Sequence, residues 1–458
     1  MIKIPQFEND KSIKYRSCDL FFAYIYRRIQ IDKIMNTNEY AQIIADQRQE
    51  MTEIDISRLC SRKEESLIEL DSPLAQIVIG VRRSGKSTLC HKLLKQRNVH
   101  YAYINFDDER LYKLKAEELN AVLEALYMIY GDFKYLFLDE IQNIEEWFLF
   151  VNRLLRQNIR LLITGSNAKL LSSELSTHLT GRYNQIELYP FSFAEYCQFK
   201  KVDAHDISTK GTAFKKAAFE EYMYKGGFPE LFLVRNNRSY IQNLFDSIIR
   251  RDIQQRFKVR YIESLRRMAN HLIDNFGQEL IYTDLAERFG FGSDHTAENY
   301  VSYLKQAYLL LGIHKFSFKS KERIRSEKAY VIDPAFISER EETIVGTNSG
   351  WRLENIIYIE LLRRTRPLFE DVFYFRDSLY EIDFVVCRNS TVKELIQVSL
   401  DISSDKTFKR EISALQKGAI ELKCNNLTLI TLNGIRQADA RLPEIRVVSA
   451  IDWLLQES

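Results

Sequence analysis

From Gln76 onward, short apolar runs alternate with amphipathic stretches. Residues 77–79, 101–105, 135–138 and 161–163 are runs too short for helices and read as strands, and the stretch 87–96 between the first two reads as a helix. This alternation predicts an α/β fold built on a mostly parallel sheet. Upstream, residues 1–70 are polar, dense in charge and free of glycine, with a helix-like stretch from Met35 to about Glu50. They read as a peripheral helical prelude, and the residues before Met35 equally as an upstream start-site extension. Past Glu195 the pattern turns helical and is broken by Gly226-Gly227-Phe228-Pro229, which predicts a small helical lid. Residues 257–338 give a helix, then helices over 282–289 and 296–310 and a strand pair holding 314–328, the order of a winged helix. A helix at 352–364, strands near 372–375, 382–386, 395–398 and 427–432, and a last helix at 450–455 predict a second, smaller α/β unit. The domain limits expected are 1–70, 71–200, 201–256, 257–345 and 346–458.

Composition narrows the function classes only a little. Across 458 residues, 65 basic against 63 acidic side chains leave a net charge of +2, so bulk charge points to no partner. The closest two of the six cysteines, Cys60 and Cys90, lie 30 positions apart, which gives no zinc-ligand spacing and leads us to expect a reduced, cytoplasmic protein. The apolar runs at 21–26 and 308–312 fall far short of the roughly 20 residues that span a bilayer, so membrane insertion is not expected.

Specific chemistry begins at Gly80-Val81-Arg82-Arg83-Ser84-Gly85-Lys86-Ser87-Thr88, placed after a strand and before a helix. Two glycines let backbone N–H groups turn inward around phosphate oxygens, and the helix N-terminus adds partial positive charge. In such a phosphate-binding loop (P-loop) Lys86 reaches the terminal phosphates and Ser87 ligates Mg²⁺. The competing reading is a plain glycine-containing turn. The run Tyr135-Leu136-Phe137-Leu138-Asp139-Glu140 adds a buried strand ending in two carboxylates. Asp139 is expected to hold the Mg²⁺ shell, directly or through water, and Glu140 to polarise the attacking water. Ser166, with Thr164 and Asn167 close behind, ends another strand, where it suits sensing of the γ-phosphate or capping of a helix. Asn105 is a candidate to orient Glu140 from the adjacent strand. ATP and Mg²⁺ are the ligands implied.

These motifs, with Tyr103-Ile104-Asn105-Phe106-Asp107-Asp108-Glu109, Leu179-Thr180-Gly181-Arg182-Tyr183 and Gly226-Gly227-Phe228-Pro229-Glu230, resemble the prokaryotic AAA+-like P-loop ATPases that carry a C-terminal domain of unknown function. The resemblance runs from about residue 40 to the end of the chain. It implies an additional-strand ATPase core with a catalytic Glu, a winged helix and a terminal domain similar to restriction endonucleases. In AAA+-like proteins an arginine placed as Arg182 is, between a helix at 170–180 and a strand at 184–188, often faces the neighbouring subunit's nucleotide. The resemblance therefore implies homo-oligomers with Arg182 acting in trans; the alternative is a helix-end arginine answering the helix dipole.

Positive charge is concentrated locally. Residues 250–267 carry seven basic against two acidic side chains, and residues 315–328 six against two. Such clusters favour salt-sensitive, sequence-independent DNA contact, whereas the expected groove-reading helix carries only Lys305. A solvated surface or protein-docking face is the alternative. In the terminal unit Glu354, Asp383 and Gln397-Val398-Ser399 follow the order of the endonuclease-like fold, but Ser399 stands where active relatives of that fold place a lysine. Cleavage is expected to be weak or absent, with Lys393 or Lys406 as substitutes in principle. The function expected is ATP hydrolysis that drives conformational change or assembly, alternatively a nucleotide-gated binding module, and last a nuclease.

Overall fold

The computed structural model of the chain describes residues 35–166, 178–318, 326–340, 348–389, 391–433 and 444–456. Strands Ala75–Ile79 (β1), Tyr101–Asn105 (β2), Tyr135–Asp139 (β3), Arg160–Gly165 (β4) and Tyr183–Glu187 (β5) form one sheet in the order β2-β3-β4-β1-β5. Every pairing in it is parallel. Strand periodicity sends alternate side chains to opposite faces. Ile77 and Ile79, Leu136 and Leu138, and Leu161 and Ile163 join one core with Val122, Leu126, Val151 and Leu154 of the helices Leu119–Tyr130 and Trp147–Arg156. Val78, Phe137 and Leu162 join the opposite core with Leu89, Cys90, Leu93 and Leu94 of helix Lys86–Gln96. Burial on both faces is why these strands read as continuous apolar runs.

The opening helix is not the peripheral element its charge density predicts. Thr37–Thr52 starts at a capping box between Asn36 and Glu39 and buries Tyr40, Ile43, Ile44 and Gln47 on one stripe. Gln47 accepts from the Asn105 N–H at 2.9 Å and donates to its carbonyl at 3.1 Å, so the helix serves the polar groups of the edge strand β2. Arg62, also within the predicted prelude, is 7% exposed and donates to the Ser84 carbonyl at 3.2 Å and the Tyr189 carbonyl at 2.6 Å. Residues 36–70 thus pack as part of the first sheet's layers.

Beyond the sheet come helices Phe193–Lys200, Thr209–Lys225 and Asn237–Ser247, the last continuing into a π-helix over Ile248–Gln255. Three helices, Ile262–Asp274, Tyr282–Phe289 and Asp294–Gln306, precede the antiparallel pair Leu310–His314 (β6) and Glu327–Val331 (β7). The helix predicted over 296–310 stops at Gln306, because Tyr308 adopts a left-handed φ of 57° and Leu310 already belongs to β6.

The second sheet joins Asp371–Arg376 (β8), Glu381–Arg388 (β9), Thr391–Asp401 (β10), Leu427–Asn433 (β11) and Ile445–Ser449 (β12) in the order β12-β11-β10-β9-β8. Strands β8, β9 and β10 form an antiparallel meander and β10, β11 and β12 run parallel. Helices Ser349–Thr365 and Asp405–Leu422 pack on it; β12 and the second of these helices had no counterpart in the sequence expectations. The chain around the end of the first helix also reaches the first sheet. Arg363 donates to the Pro190 carbonyl at 2.6 Å, just past β5, and Arg366, the residue after the helix, pairs with Glu187, the last residue of that strand. No helix among the described residues is long and apolar enough to cross a membrane.

Candidate functional site

The loop Gly80–Thr88 leaves the C-terminal end of β1. Gly80 has φ +150°, and a Cβ there would lie 2.0 Å from the Leu188 carbonyl oxygen, so only glycine lets the chain turn off the strand against β5. Gly85 caps the helix Lys86–Gln96 with φ +96° and nothing nearer than 3.9 Å to an added Cβ. Arg83 also takes a left-handed φ of 65°. A helix start leaves its first N–H groups without intrahelical partners, and here they open into the loop. Inside it Ser84 is fully buried with an Oγ that has no hydrogen-bond partner, a polar atom suited to a ligand or water.

Lys86 is 4% exposed and donates Nζ to the carbonyls of Gly80 at 3.2 Å and Val81 at 3.1 Å. Its charge lies 3.8 Å from Glu140. Ser87 Oγ donates to Asp139 Oδ1 at 2.9 Å. Thr164 also donates to that oxygen, and Tyr103 OH reaches Oδ2 at 3.2 Å. Burial pushes the Asp139 carboxyl up to about 6 and Glu140 pushes the same way, against the hydrogen bonds of Thr164 and Ser87 and the charge of Lys86. A hydroxyl and a carboxylate side by side at the end of the loop are the hard oxygen donors that Mg²⁺ prefers, so the residues present fit that ion.

The sheet order puts β4 between the P-loop strand and the acidic strand, so Thr164 and Ser166 end a strand flanked by those that lead to Lys86 and Glu140. Glu140 is a non-glycine residue at φ 53°, a costly conformation that here aims its carboxylate back toward Lys86. Its N–H donates to Thr164 Oγ1 at 3.1 Å and its carboxylate accepts from Gln142. Gln142 also lies 3.4 Å from Ser166 Oγ, which in turn lies 3.4 Å from Asp252 Oδ1 of the π-helix. Asn105 pairs in register with Asp139, but its Oδ1 accepts from the Asp107 N–H at 2.9 Å while Glu140 meets Lys86 and Gln142. Arg182 stands at the start of β5, its carbonyl accepting from Ala75 at 3.1 Å. That is the N-terminal end of β1 and β5, whereas the P-loop leaves the C-terminal end of β1, so Arg182 does not join this chain's own pocket. Asn167 and most of the helix predicted over 170–180 lie outside the described residues.

Sequence reasoning missed four participants. Tyr103 lay inside a quoted strand with no mark of its role, Gln142 follows Glu140 without a motif of its own, and Arg62 and Asp252 arrive from segments remote in sequence. Arg82 is tied to Asp252 by two hydrogen bonds of 2.9 and 3.0 Å, and Arg83 to Glu230 at 2.5 Å. Two of the loop's arginines thus reach the helices beyond the sheet.

In the second sheet, Glu354 accepts from Tyr330, and Asp383 Oδ2 accepts from the Val398 N–H at 2.7 Å. Gln397 Nε2 donates to Glu411 at 2.9 Å and Ser399 Oγ to the Asp401 carbonyl at 3.4 Å. Burial holds both the Glu354 and Asp383 carboxyls above their usual range, and Glu354 adds to the effect on Asp383. Lys328 of β7 pairs with Glu381, and the negative charges of Glu354 and Asp383 also hold its proton. The cation near these acids therefore comes from the hairpin.

A sheet ordered β2-β3-β4-β1-β5, with a glycine-bordered loop after β1 and an acid pair after β3, defines a P-loop NTPase domain of the AAA type. Residues 72–197 match the family model described as AAA domain, and residues 216–340 match a domain of unknown function, DUF8612. The chain belongs to the family of the uncharacterized protein MJ1544 of Methanocaldococcus jannaschii, with which it is 34% identical over 372 residues, 78% of this chain and 82% of that one. It is 30% identical over 401 residues to an uncharacterized Haemophilus influenzae protein, covering 84% and 95% of the two chains. Among solved structures, the Walker-type ATPase PABY2304 of Pyrococcus abyssi overlaps 61% of this chain and 95% of its own at 15% identity and a TM-score of 0.36. The Thermotoga maritima RuvB Holliday junction branch migration motor overlaps 54% and 84% at 18% identity and a TM-score of 0.29.

Proposed function

We propose that this protein is a Mg²⁺-dependent ATPase that turns nucleotide state into movement of its lid, helix-hairpin and terminal sheet. The observation that carries the reading is the grouping of Ser87 on Asp139 at 2.9 Å with Lys86 and Glu140 3.8 Å apart at one end of the sheet. Ser87 and Asp139 would hold the ion, whose charge neutralises phosphate oxygens. The loop N–H groups bind and orient the phosphates, and Lys86 leaves its loop carbonyls to meet them. Glu140, fixed through Thr164 and Gln142, accepts the proton of the attacking water; Ser166 is placed to position that water.

Arg182 serves this reading in trans, since it lies at the strand end opposite its own P-loop, and the protein then works as a homo-oligomer. DNA is a second proposed partner. Arg250, Arg251, Lys258, Arg260 and Arg267 are exposed; Lys319, Lys321, Arg323 and Arg325 of the expected wing lie outside the described residues. Lys305, the one base of the expected reading helix, is held by both Glu327 oxygens at 2.7 and 2.9 Å, which favours backbone contact over base reading. The terminal sheet is proposed as an endonuclease-like scaffold with little or no cleavage, because its acids are partnered within the protein and Ser399 brings no charge.

Turnover measured across protein concentration, with and without DNA, tests this reading. The expected result is specific activity that rises with concentration and falls about 10³-fold or more in Arg182→Ala. Activity that is flat with dilution and unchanged in that variant would remove the in-trans role, and no turnover under any condition would leave a nucleotide-gated binding module.

A further inference from the structure

Among the contacts around the P-loop, one is not explained by nucleotide chemistry already described. Arg82, the third residue of the loop, gives a forked pair of hydrogen bonds to Asp252, at 2.9 and 3.0 Å. Asp252 is 7% exposed and sits on the π-helix Ile248–Gln255, a local distortion frequent at functional sites. The same carboxylate lies 3.4 Å from Ser166 Oγ, and Ser166 leads through Gln142 to Glu140. Arg82 also approaches Asp107 at 3.5 Å, and Arg251, next to Asp252, approaches Asp107 at 4.0 Å.

A guanidinium fork fits a carboxylate and a phosphate equally well. Resting on the ATPase reading above, we propose that Arg82 distinguishes a nucleoside triphosphate from a diphosphate, and that Asp252 is the latch holding it while no γ-phosphate is present. A terminal phosphate at the loop draws Arg82 off Asp252. The carboxylate left behind is buried without its cation, which is costly, so the π-helix moves outward or rehydrates. Asp107 keeps Arg251 as a neighbour, so the release acts on Asp252 alone. A diphosphate leaves the fork in place. The nucleotide therefore biases the lid through its different affinity for the two states, and Asp252 is a positioning residue for both Arg82 and Ser166.

The test compares Mg²⁺-supported binding of a non-hydrolysable ATP analogue and of ADP by calorimetry, together with hydrogen exchange of residues 248–255. The wild type should prefer the triphosphate and lose protection over 248–255 only with it. Arg82→Ala should lower that preference about ten- to a hundredfold, the worth of charged hydrogen bonds, with ADP affinity unchanged. Arg82→Ala should also give the triphosphate exchange pattern over 248–255 with ADP bound, since Asp252 is then buried without its cation, whereas Asp252→Asn should keep its protection with either nucleotide. The exchanged pair Arg82→Asp with Asp252→Arg should recover the thermal midpoint but not the preference, which separates ligand sensing from a merely structural pair. A preference kept in Arg82→Ala, or restored by the exchanged pair, would overturn the latch while leaving ATP binding intact. A wild type that binds neither nucleotide would instead overturn the ATPase reading beneath it.

Discussion

Replacing Glu140 by Gln is expected to leave MgATP bound while lowering the single-turnover hydrolysis rate by about 10²- to 10⁴-fold, the range of general base catalysis. The side chains are nearly the same size, so the backbone at φ 53° and the N–H bond to Thr164 at 3.1 Å remain. What changes is the ability to take a proton. Loss of the negative charge 3.8 Å from Lys86 also removes a partner that competes with the phosphates, so affinity should hold or rise. Hydrolysis followed in one catalytic cycle, with enzyme in excess, isolates the chemical step from product release. An unchanged rate would show that the water is activated elsewhere, with Glu140 serving only as a fixed charge.

The largest structural effect is expected at Gly226. Its φ is +73°, and a Cβ built there would stand 1.7 Å from Asp333 Oδ1 and 2.8 Å from the Ala335 nitrogen. Gly226→Ala therefore has to expel Asp333. That carboxylate accepts from the Gly227 N–H at 2.8 Å and the Ala335 N–H at 2.9 Å, which ties the turn within the lid to the segment after β7. The Gly227 carbonyl in turn accepts from the Phe191 N–H at 2.7 Å, just beyond β5. Leaving two buried N–H groups unpaired costs about 1–3 kcal/mol each, and the strained backbone adds about 1–3 kcal/mol. The expected outcome is a loss of about 3–9 kcal/mol in the first unfolding transition seen in a denaturant titration. A midpoint within about 0.5 kcal/mol of the wild type would show that Gly226 is not held as described.

How far the sequence could lead differed from element to element. β3 was legible because four apolar residues end abruptly in Asp139 and Glu140, and the P-loop because Gly80, Gly85, Lys86 and Ser87 stand at spacings few other structures need. The helix Thr37–Thr52 was misjudged: its buried stripe holds only Tyr40, Ala41, Ile43 and Ile44 beside Gln47, and a buried glutamine serving an edge strand looks the same in sequence as a solvated one. Asp252 was invisible for a related reason. It sits in a basic stretch that read as a nucleic-acid surface, and only the folded lid brings its carboxylate to Arg82. Asn105 shows the reverse: its strand register was right, yet an Asx-type bond to Asp107 takes the oxygen expected to orient Glu140. The charge near Glu354 and Asp383 was sought at Lys393 and Lys406, within the terminal unit, whereas Lys328 approaches from β7. Contacts made within one strand–loop–helix unit can be read from spacing. Those made between units depend on packing that spacing does not record.

Calorimetric titration of MgATP into the wild type and into Lys86→Ala tests the nucleotide pocket most directly. Lys86 is 4% exposed, and its Nζ now rests on the carbonyls of Gly80 and Val81. Saturable one-site binding by the wild type is expected, weakened at least tenfold in the variant while its thermal midpoint stays close to the wild type's. Equal affinity in the two proteins, or no heat of binding in the wild type, would contradict a triphosphate seated in the loop after β1.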